Sequence, residues 1–298
     1  TVITADVISK LEECTPLAPL HNPPNLIGIR AGRLLLPRVP HVAVFDTSFY
    51  QTMPPQAYIY ALPYEYYLKH KIRKYGFHGT SCRYVSQRAA EILRRPPAEL
   101  KMVICHLGNG VTMTAVKGGC SVDTSIGFAT FSGIMMGTRS GDIDPGLIFH
   151  LRRQLGLSPD FIENLLYKES GLLGVSGVSN DMRVVVEQAR AGHERCQLAM
   201  EIFAYMTKKY IGAYAAAMGG INTLVFTAGI GENSSVIRAM VCAGLEFLGI
   251  ELDPAKNEEA IGREMDVSLP WAKTRVLVVP TDEEKMIALD TMRLAGLG

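Results

Sequence analysis

KMVICHLGNGVTMTAVKGGCSVDT, residues 101–124, is the stretch whose reading decides the fold. Lys101–Leu107 is an apolar, β-branched run of strand length. Gly108, Asn109 and Gly110 then reverse the chain, because Asn and Gly both tolerate positive φ and an Asn-Gly pair is a strong hairpin signal. Residues 111–116 return as a second strand. Gly118 and Gly119 turn the chain again into Cys120–Thr124. Downstream, apolar residues recur at three- and four-residue steps from 182 to 218, which reads as helix. Residues 222–227 are a strand, 234–248 a helix and 275–279 a strand. Thr281, Asp282, Glu283 and Glu284 have the S/T-x-x-E spacing of a capping box before an apolar helix to Leu294. Upstream, residues 81–94 form an amphipathic helix that Pro96 and Pro97 stop. Residues 47–67, rich in Pro, Tyr and Gln, read as an irregular domain crossover. HVAVFD, residues 41–46, reads as a strand delivering a carboxylate at its end. Helices alternating with both hairpins and single strands predict an α/β protein with a mixed sheet.

The chain has 298 residues, 30 Lys plus Arg against 29 Asp plus Glu, and 48% hydrophobic residues. That length supports a substantial core, and an apolar, nearly neutral chain is not intrinsically disordered. With no basic excess, binding of nucleic acid through bulk charge is excluded. The most apolar long window, residues 211–230, holds five Gly or Asn residues and reads as a helix end followed by a strand, so no membrane span is expected. Cys14, Cys82, Cys105, Cys120, Cys196 and Cys242 form no C-x-x-C pair and lie among apolar neighbours, which predicts reduced, buried thiols and a cytoplasmic protein. The first residues show no signal peptide.

Several short segments carry chemistry. HLGNG (106–110) and TAGIGENS (227–234) are glycine turns after strands, where exposed N–H groups can hold phosphate or ribose oxygens. The second lacks the last glycine of a dinucleotide fingerprint, and neither a P-loop nor a protein-kinase motif set is present. In MMGTRSGDIDPG (135–146), small neighbours leave Arg139 room to reach an anion, or to pair with Asp142 or Asp144. His78 in KYGFHGTS can donate to a phosphoryl oxygen or serve as a structural hydrogen-bonder. Asp46 and Glu283 are candidate magnesium carboxylates or ordinary turn and cap residues.

Taken in order, LAPLHNP, VFDTSF, KYGFHGTS, HLGNGVT, MMGTRSGDIDPG, SGVSNDMR, FTAGIGENS and PTDEE closely resemble the acetate kinase family, which includes the propionate and butyrate kinases. The resemblance runs over nearly the whole chain. It implies the two-domain α/β fold shared by acetate and sugar kinases, hsp70-type ATPases and actin. It also implies reversible in-line transfer of the γ-phosphoryl of ATP to a short-chain carboxylate, with Mg2+ or Mn2+. By the same resemblance Arg139 and His78 contact the phosphoryl group, His21 sits beside the carboxylate and phosphoryl oxygens, and Asp46 and Glu283 position the metal. His106, Asn109 and Gly110 line the phosphate site. Asp181, Met182, Arg183, Gly229, Gly231 and Asn233 flank the nucleotide. Leu20, Phe77 and Thr130 form the acyl pocket. A homodimer is implied, with residues 1–50 and 284–298 in a first domain and 51–283 in a nucleotide-binding and dimerisation domain.

The sequence departs from the family pattern in three places. The N-x-G-S-S-S-x-K segment with which family members begin, and a second essential Arg, are absent. Residue 1 corresponds to a point roughly a quarter of the way into the pattern, so the first domain is expected to be incomplete and the chain weakly active or inactive without a companion N-terminal fragment; the alternatives to an acetate kinase are a propionate or butyrate kinase and a truncated, non-catalytic nucleotide-binding remnant. Thr130 stands where a pocket proline is usual, which relaxes acyl specificity, and one methylene is worth only about 1–3 kcal/mol of discrimination in any case. Cys82 replaces the histidine usual after H-G-T-S, and reads as an inert helix-start thiol.

Overall fold

Side chains along the central strands alternate between two apolar layers, as the two-residue period of a strand requires. On β1 (Lys101–Leu107), Val103, Cys105 and Leu107 enter one cluster, while Met102 and Ile104 enter the other. The hairpin partner β2 (Val111–Lys117) and β3 (Cys120–Thr124) follow where the turns place them. β4 (Thr223–Thr227), β5 (Met265–Asp266) and β6 (Arg275–Val278) complete a six-stranded sheet of order β3-β2-β1-β4-β6-β5. β1, β4 and β6 are parallel; β2, β3 and β5 are antiparallel to their neighbours. The computed structural model describes residues 1–17 and 21–296.

In chain order the helices are α1 (Ala5–Glu13), α2 (Asn22–Leu35), α3 (Pro55–Tyr58), α4 (Glu65–His70), α5 (Gly79–Leu93), α6 (Pro145–Gln154), α7 (Pro159–Lys168), α8 (Gly171–Ser176), α9 (Met182–Arg190), α10 (Glu194–Met218), α11 (Ala228–Asn233), α12 (Ser235–Cys242), α13 (Pro254–Glu259) and α14 (Glu283–Ala295). α5 covers one face of the sheet with Cys82, Val85, Ala89 and Ala90. The other face is covered by α8, α9, α10 and α12, which contribute Leu172, Val185, Phe203, Ile211, Ile237 and Val241. α14 lies along α5, tied by an Arg83–Asp290 ion pair at 2.5 Å. No helix among the described residues is long and apolar enough to cross a membrane.

Several expectations are corrected. The helical pattern over 182–218 is two helices: Gly192 takes φ +91° and His193 caps α10, its Nδ1 accepting from the Cys196 N–H. The pattern over 234–248 stops at Cys242, because Gly244 adopts φ +81°. HVAVFD is extended but joins the central sheet nowhere; Val42 forms one antiparallel bridge with Val2. Residues 47–67 are not irregular throughout, since Ser48–Thr52 is a 3-10 turn followed by α3 and the start of α4. Tyr50 anchors this stretch, donating from the core to the Phe77 carbonyl at 2.7 Å. TAGIGENS is the short helix α11 rather than an open turn. The cap of α14 is Asp282, which accepts from the Lys285 N–H, and Thr281 is free for other bonds. All six thiols are unpaired, but Cys14 and Cys120 are exposed rather than buried.

Candidate active site

The parallel strands β1, β4 and β6 end on one side of the sheet, and the segments that follow them build the site there, outside the carboxyl ends of the strands. After β1 comes the Gly108–Asn109–Gly110 turn, after β4 comes α11, and after β6 come Thr281 and the start of α14.

His78 stands at the N-cap of α5 with φ +56°, a region costly for a residue with a Cβ. Asp46 holds it there. Its carboxylate accepts from the His78 N–H at 2.5 Å and the Thr80 N–H at 3.2 Å, capping α5 from a distant segment. Its backbone carbonyl accepts from the Gly79 N–H at 2.9 Å, and a Cβ at Gly79 would lie 2.1 Å from that oxygen, so only glycine fits. The His78 ring hydrogen-bonds Thr112 Oγ1 through Nδ1 at 2.7 Å and stacks on His106, with centroids 4.2 Å apart and planes 11° from parallel. Burial, together with the Arg139 charge, holds His78 below the ordinary histidine pKa, against the opposing pull of Asp46. Burial pushes His106 down further, helped by His78.

Arg139 is half-buried and donates from Nη1 to the Thr130 carbonyl at 2.7 Å. It is paired with neither nearby aspartate. Asp142 accepts from the Gly133 N–H and from the Tyr210 hydroxyl, and Asp144 caps α6. Among the described residues no carboxylate forms an ion pair with Arg139. A half-buried cation without a counter-ion is a site for an anion. The missing Cβ of Gly110 opens the space in front of it. An atom there would lie 3.5 Å from His78 Nε2 and 3.8 Å from Arg139 Nη1, so the two donors converge on one point.

Glu283 is half-buried beside Asp46. Burial and the Asp46 charge raise its pKa, with Glu284 adding and the Ser81 N–H partly offsetting. Two carboxylates that repel each other are a donor set for a hard divalent cation, and Mg2+ commonly takes one or two carboxylates plus phosphate oxygens and water. No group of three His, Cys, Asp or Glu residues suited to a metal occurs among the described residues.

A cleft of ≈ 920 Å³ opens beside the Gly108 turn. Asn109, Asp181, Met182, Arg183, Gly229 and Asn233, which the resemblance assigns to phosphate and nucleotide, all line it. Asn180 and Arg190 also line it; Asn180 stands within SGVSNDMR but was not singled out there, and Arg190 belongs to no motif. Other expected positions depart from this cluster. Gly231 is buried under the cleft, its α-carbon facing the Phe226 backbone and the Cys105 carbonyl, so it serves packing. Arg183 does line the cleft, but its guanidinium extends into solvent and pairs with Asp181 at 2.6 Å. His21 is exposed before α2 and hydrogen-bonds no other predicted site residue through its side chain. Phe77 packs against the main core. Thr130 meets the site through its carbonyl. Leu20 lies outside the described residues.

Residues 1–289 match the model of the acetokinase family. The chain belongs to that family. The acetate kinase of Geobacillus kaustophilus (strain HTA426) is 56% identical over 296 residues, which are 99% of this chain and 74% of that protein. The crystal structure of Porphyromonas gingivalis acetate kinase superposes with a TM-score of 0.96 at 52% identity, covering 98% of this chain and 73% of the other. A propionate kinase from Francisella tularensis superposes with a TM-score of 0.91 at 44% identity, covering 97% and 73%. The fold is therefore the α/β acetokinase fold, of the acetate and sugar kinase, hsp70 and actin kind. As a member of the acetokinase family the chain is a phosphotransferase with a carboxyl acceptor, using ATP or ADP and a divalent metal.

Proposed function

We propose that this chain phosphorylates acetate from ATP, reversibly and by direct in-line transfer, at the point where His78 Nε2 and Arg139 Nη1 converge over Gly110. That convergence, with no carboxylate paired to Arg139 among the described residues, is the observation that carries the reading. The nucleoside occupies the cleft between Asp181, Met182 and Arg183 on one side and Gly229 and Asn233 on the other. Asn109 and His106 hold its phosphate end. Acetate is already an anionic nucleophile, so no strong general base is required. The barrier lies in bringing a carboxylate to a polyanion, and fixed donors aimed at the moving phosphoryl group lower it. Asp46 and Glu283 would hold Mg2+ or Mn2+, which supplies charge neutralisation of the phosphate oxygens. On this reading His21 would meet the carboxylate, and Phe77 and Thr130 the acyl group.

We assign residues 1–50 and 284–298 to an acyl-side domain and 51–283 to a nucleotide-binding domain, with α14 of the first packed along α5 of the second. A homodimer is supported by the exposed apolar groups Leu62, Tyr64, Tyr66 and Leu68 near α4. The unpaired thiols favour a cytoplasmic setting. The test is acyl-phosphate formation, trapped as the hydroxamate, from acetate, propionate and butyrate in parallel with ATP. The highest kcat/KM on acetate supports the reading. A preference for propionate or butyrate replaces the substrate, and no acyl phosphate from any of the three overturns it.

A further inference from the structure

A chain of hydrogen bonds runs from the nucleotide cleft to the back of His106. Its first link is Glu232 of α11, whose Oε1 accepts from the Ala228 N–H at 2.6 Å and the Thr281 N–H at 3.1 Å. Thr281 Oγ1 donates to Ser81 Oγ at 2.7 Å, and Ser81 Oγ lies 2.9 Å from His106 Nδ1. Ser81 is fully buried, out of contact with bulk water. Its oxygen receives the Thr281 hydrogen, and its own hydrogen has one acceptor in reach among the described residues, His106 Nδ1. Nδ1 is therefore the acceptor nitrogen, and a neutral imidazole then carries its proton on Nε2. Nε2 forms no hydrogen bond among the described residues and faces the Gly108 turn, 4.0 Å from where a Cβ on Gly108 would stand. The stacked His78 ring fixes the plane.

We propose that Ser81 and Thr281 are positioning residues that lock His106 as its Nε2–H tautomer, so that it presents an N–H donor, never a lone pair, to the phosphate end of the cleft. The inference rests on the placement of His106 at that end. A phosphate oxygen needs a donor opposite it, and the other tautomer would turn a nitrogen lone pair toward an anion. Glu232 sits between Gly231 and Asn233 on the helix that lines the cleft, so the same element that meets the nucleotide also anchors Thr281.

The experiment is a long-range ¹H–¹⁵N correlation spectrum of the full chain labelled at histidine, with the His106 signal assigned by its loss in His106→Gln. The spectrum is compared across Ser81→Ala, Thr281→Val and Thr281→Ser, alongside kcat and KM. In the unmodified chain His106 should show a protonated Nε2 and an unprotonated Nδ1. Ser81→Ala should give a mixture of tautomers and lower kcat by about tenfold or more, the range seen when a histidine loses its orienting partner. KM for ATP should move less. Thr281→Val should shift the same way, and Thr281→Ser should restore the original spectrum. An Nδ1-protonated His106 in the unmodified chain, or a tautomer unchanged by Ser81→Ala, overturns the inference. A changed tautomer with unchanged kcat overturns the placement of His106 at the phosphate.

Discussion

Removing Arg139 tests the electrostatic core of the site, and the structure sets the scale. Its guanidinium is half-buried, forms no ion pair among the described residues, and is fixed by the Thr130 carbonyl at 2.7 Å. A unit charge about 4 Å from a unit of negative charge on the phosphoryl group, at an effective dielectric constant of roughly 20, contributes about 4 kcal/mol. That converts to about a 10³-fold loss of kcat in Arg139→Ala. Arg139→Lys should recover little, because an ammonium cannot hold the Thr130 carbonyl and present a second donor in the same plane. The assay is hydroxamate-trapped acyl phosphate under saturating ATP and acetate, with circular dichroism and thermal melting on the same preparations. Stability gives the control. A structural arginine in a salt bridge would lower Tm when lost, whereas a half-buried cation without a counter-ion should leave Tm unchanged or raise it. Inorganic phosphate should raise Tm of the unmodified chain and not of Arg139→Ala. Turnover within tenfold of the unmodified chain, with folding intact, refutes the reasoning.

Three further outcomes are expected. His78→Ala should slow turnover by about 10²-fold, less than loss of Arg139, since it removes one donor and no fixed charge; an unaltered kcat in folded protein removes His78 from the site. His106 is held below its unfolded pKa by burial, so the unfolded chain binds its proton first as pH falls; the stability this contributes is complete above about pH 6.5 and declines on acidification towards the lowered folded value. Urea titrations across that range should show a shallower decline in His106→Gln, and identical slopes would contradict it. Glu283 has the opposite sign, its raised pKa meaning that its ionised form opposes folding near neutral pH; Glu283→Gln should be at least as stable without metal, and should lose the rise in Tm that Mg2+ produces in the unmodified chain.

Five of the six strands of the sheet were legible in the sequence because their information is local; β5, two residues long, was not. The Gly108–Gly110 and Gly118–Gly119 turns and the alternating strands place β1, β2 and β3 within a residue of their observed ends. Helix interiors were legible too, but their ends were not. Gly192 and Gly244 interrupt apolar periods that continue on both sides, and Asp282 outcompeted Thr281 as a cap because Thr281 is drawn into bonds with Glu232 and Ser81. HVAVFD failed as a strand for a different reason: a strand needs a neighbour, and its apolar alternation is silent about which segment supplies one. Within the site, the motif residues Arg139, His78, His106, Asn109 and Asp46 were recognisable by type. Their orienting partners, Thr112, Ser81, Thr281 and Glu232, lie on other elements, and a hydroxyl at a strand or helix end carries no sequence signal of what it will touch.

The stacked histidines bear on how the site can treat a phosphoryl group. Two imidazolium rings 4.2 Å apart would repel by about 4 kcal/mol at the same effective dielectric constant of roughly 20, so the pair cannot carry two charges near neutral pH. Both are in fact held below the ordinary histidine pKa. The proposed transfer site therefore combines one guanidinium with neutral N–H donors. That division suits a loose transition state, in which charge stays spread over equatorial oxygens while the bonds to both partners are long. Fixed N–H dipoles stabilise charge wherever it is spread and need no reorientation. Further fixed cations would hold the acyl phosphate, itself an anion, as firmly as the transition state and slow its release. On this reasoning, substituting His106 by a permanently charged Lys should tighten phosphate binding while lowering kcat, and a rise in kcat would show that charge, not donor direction, limits the reaction.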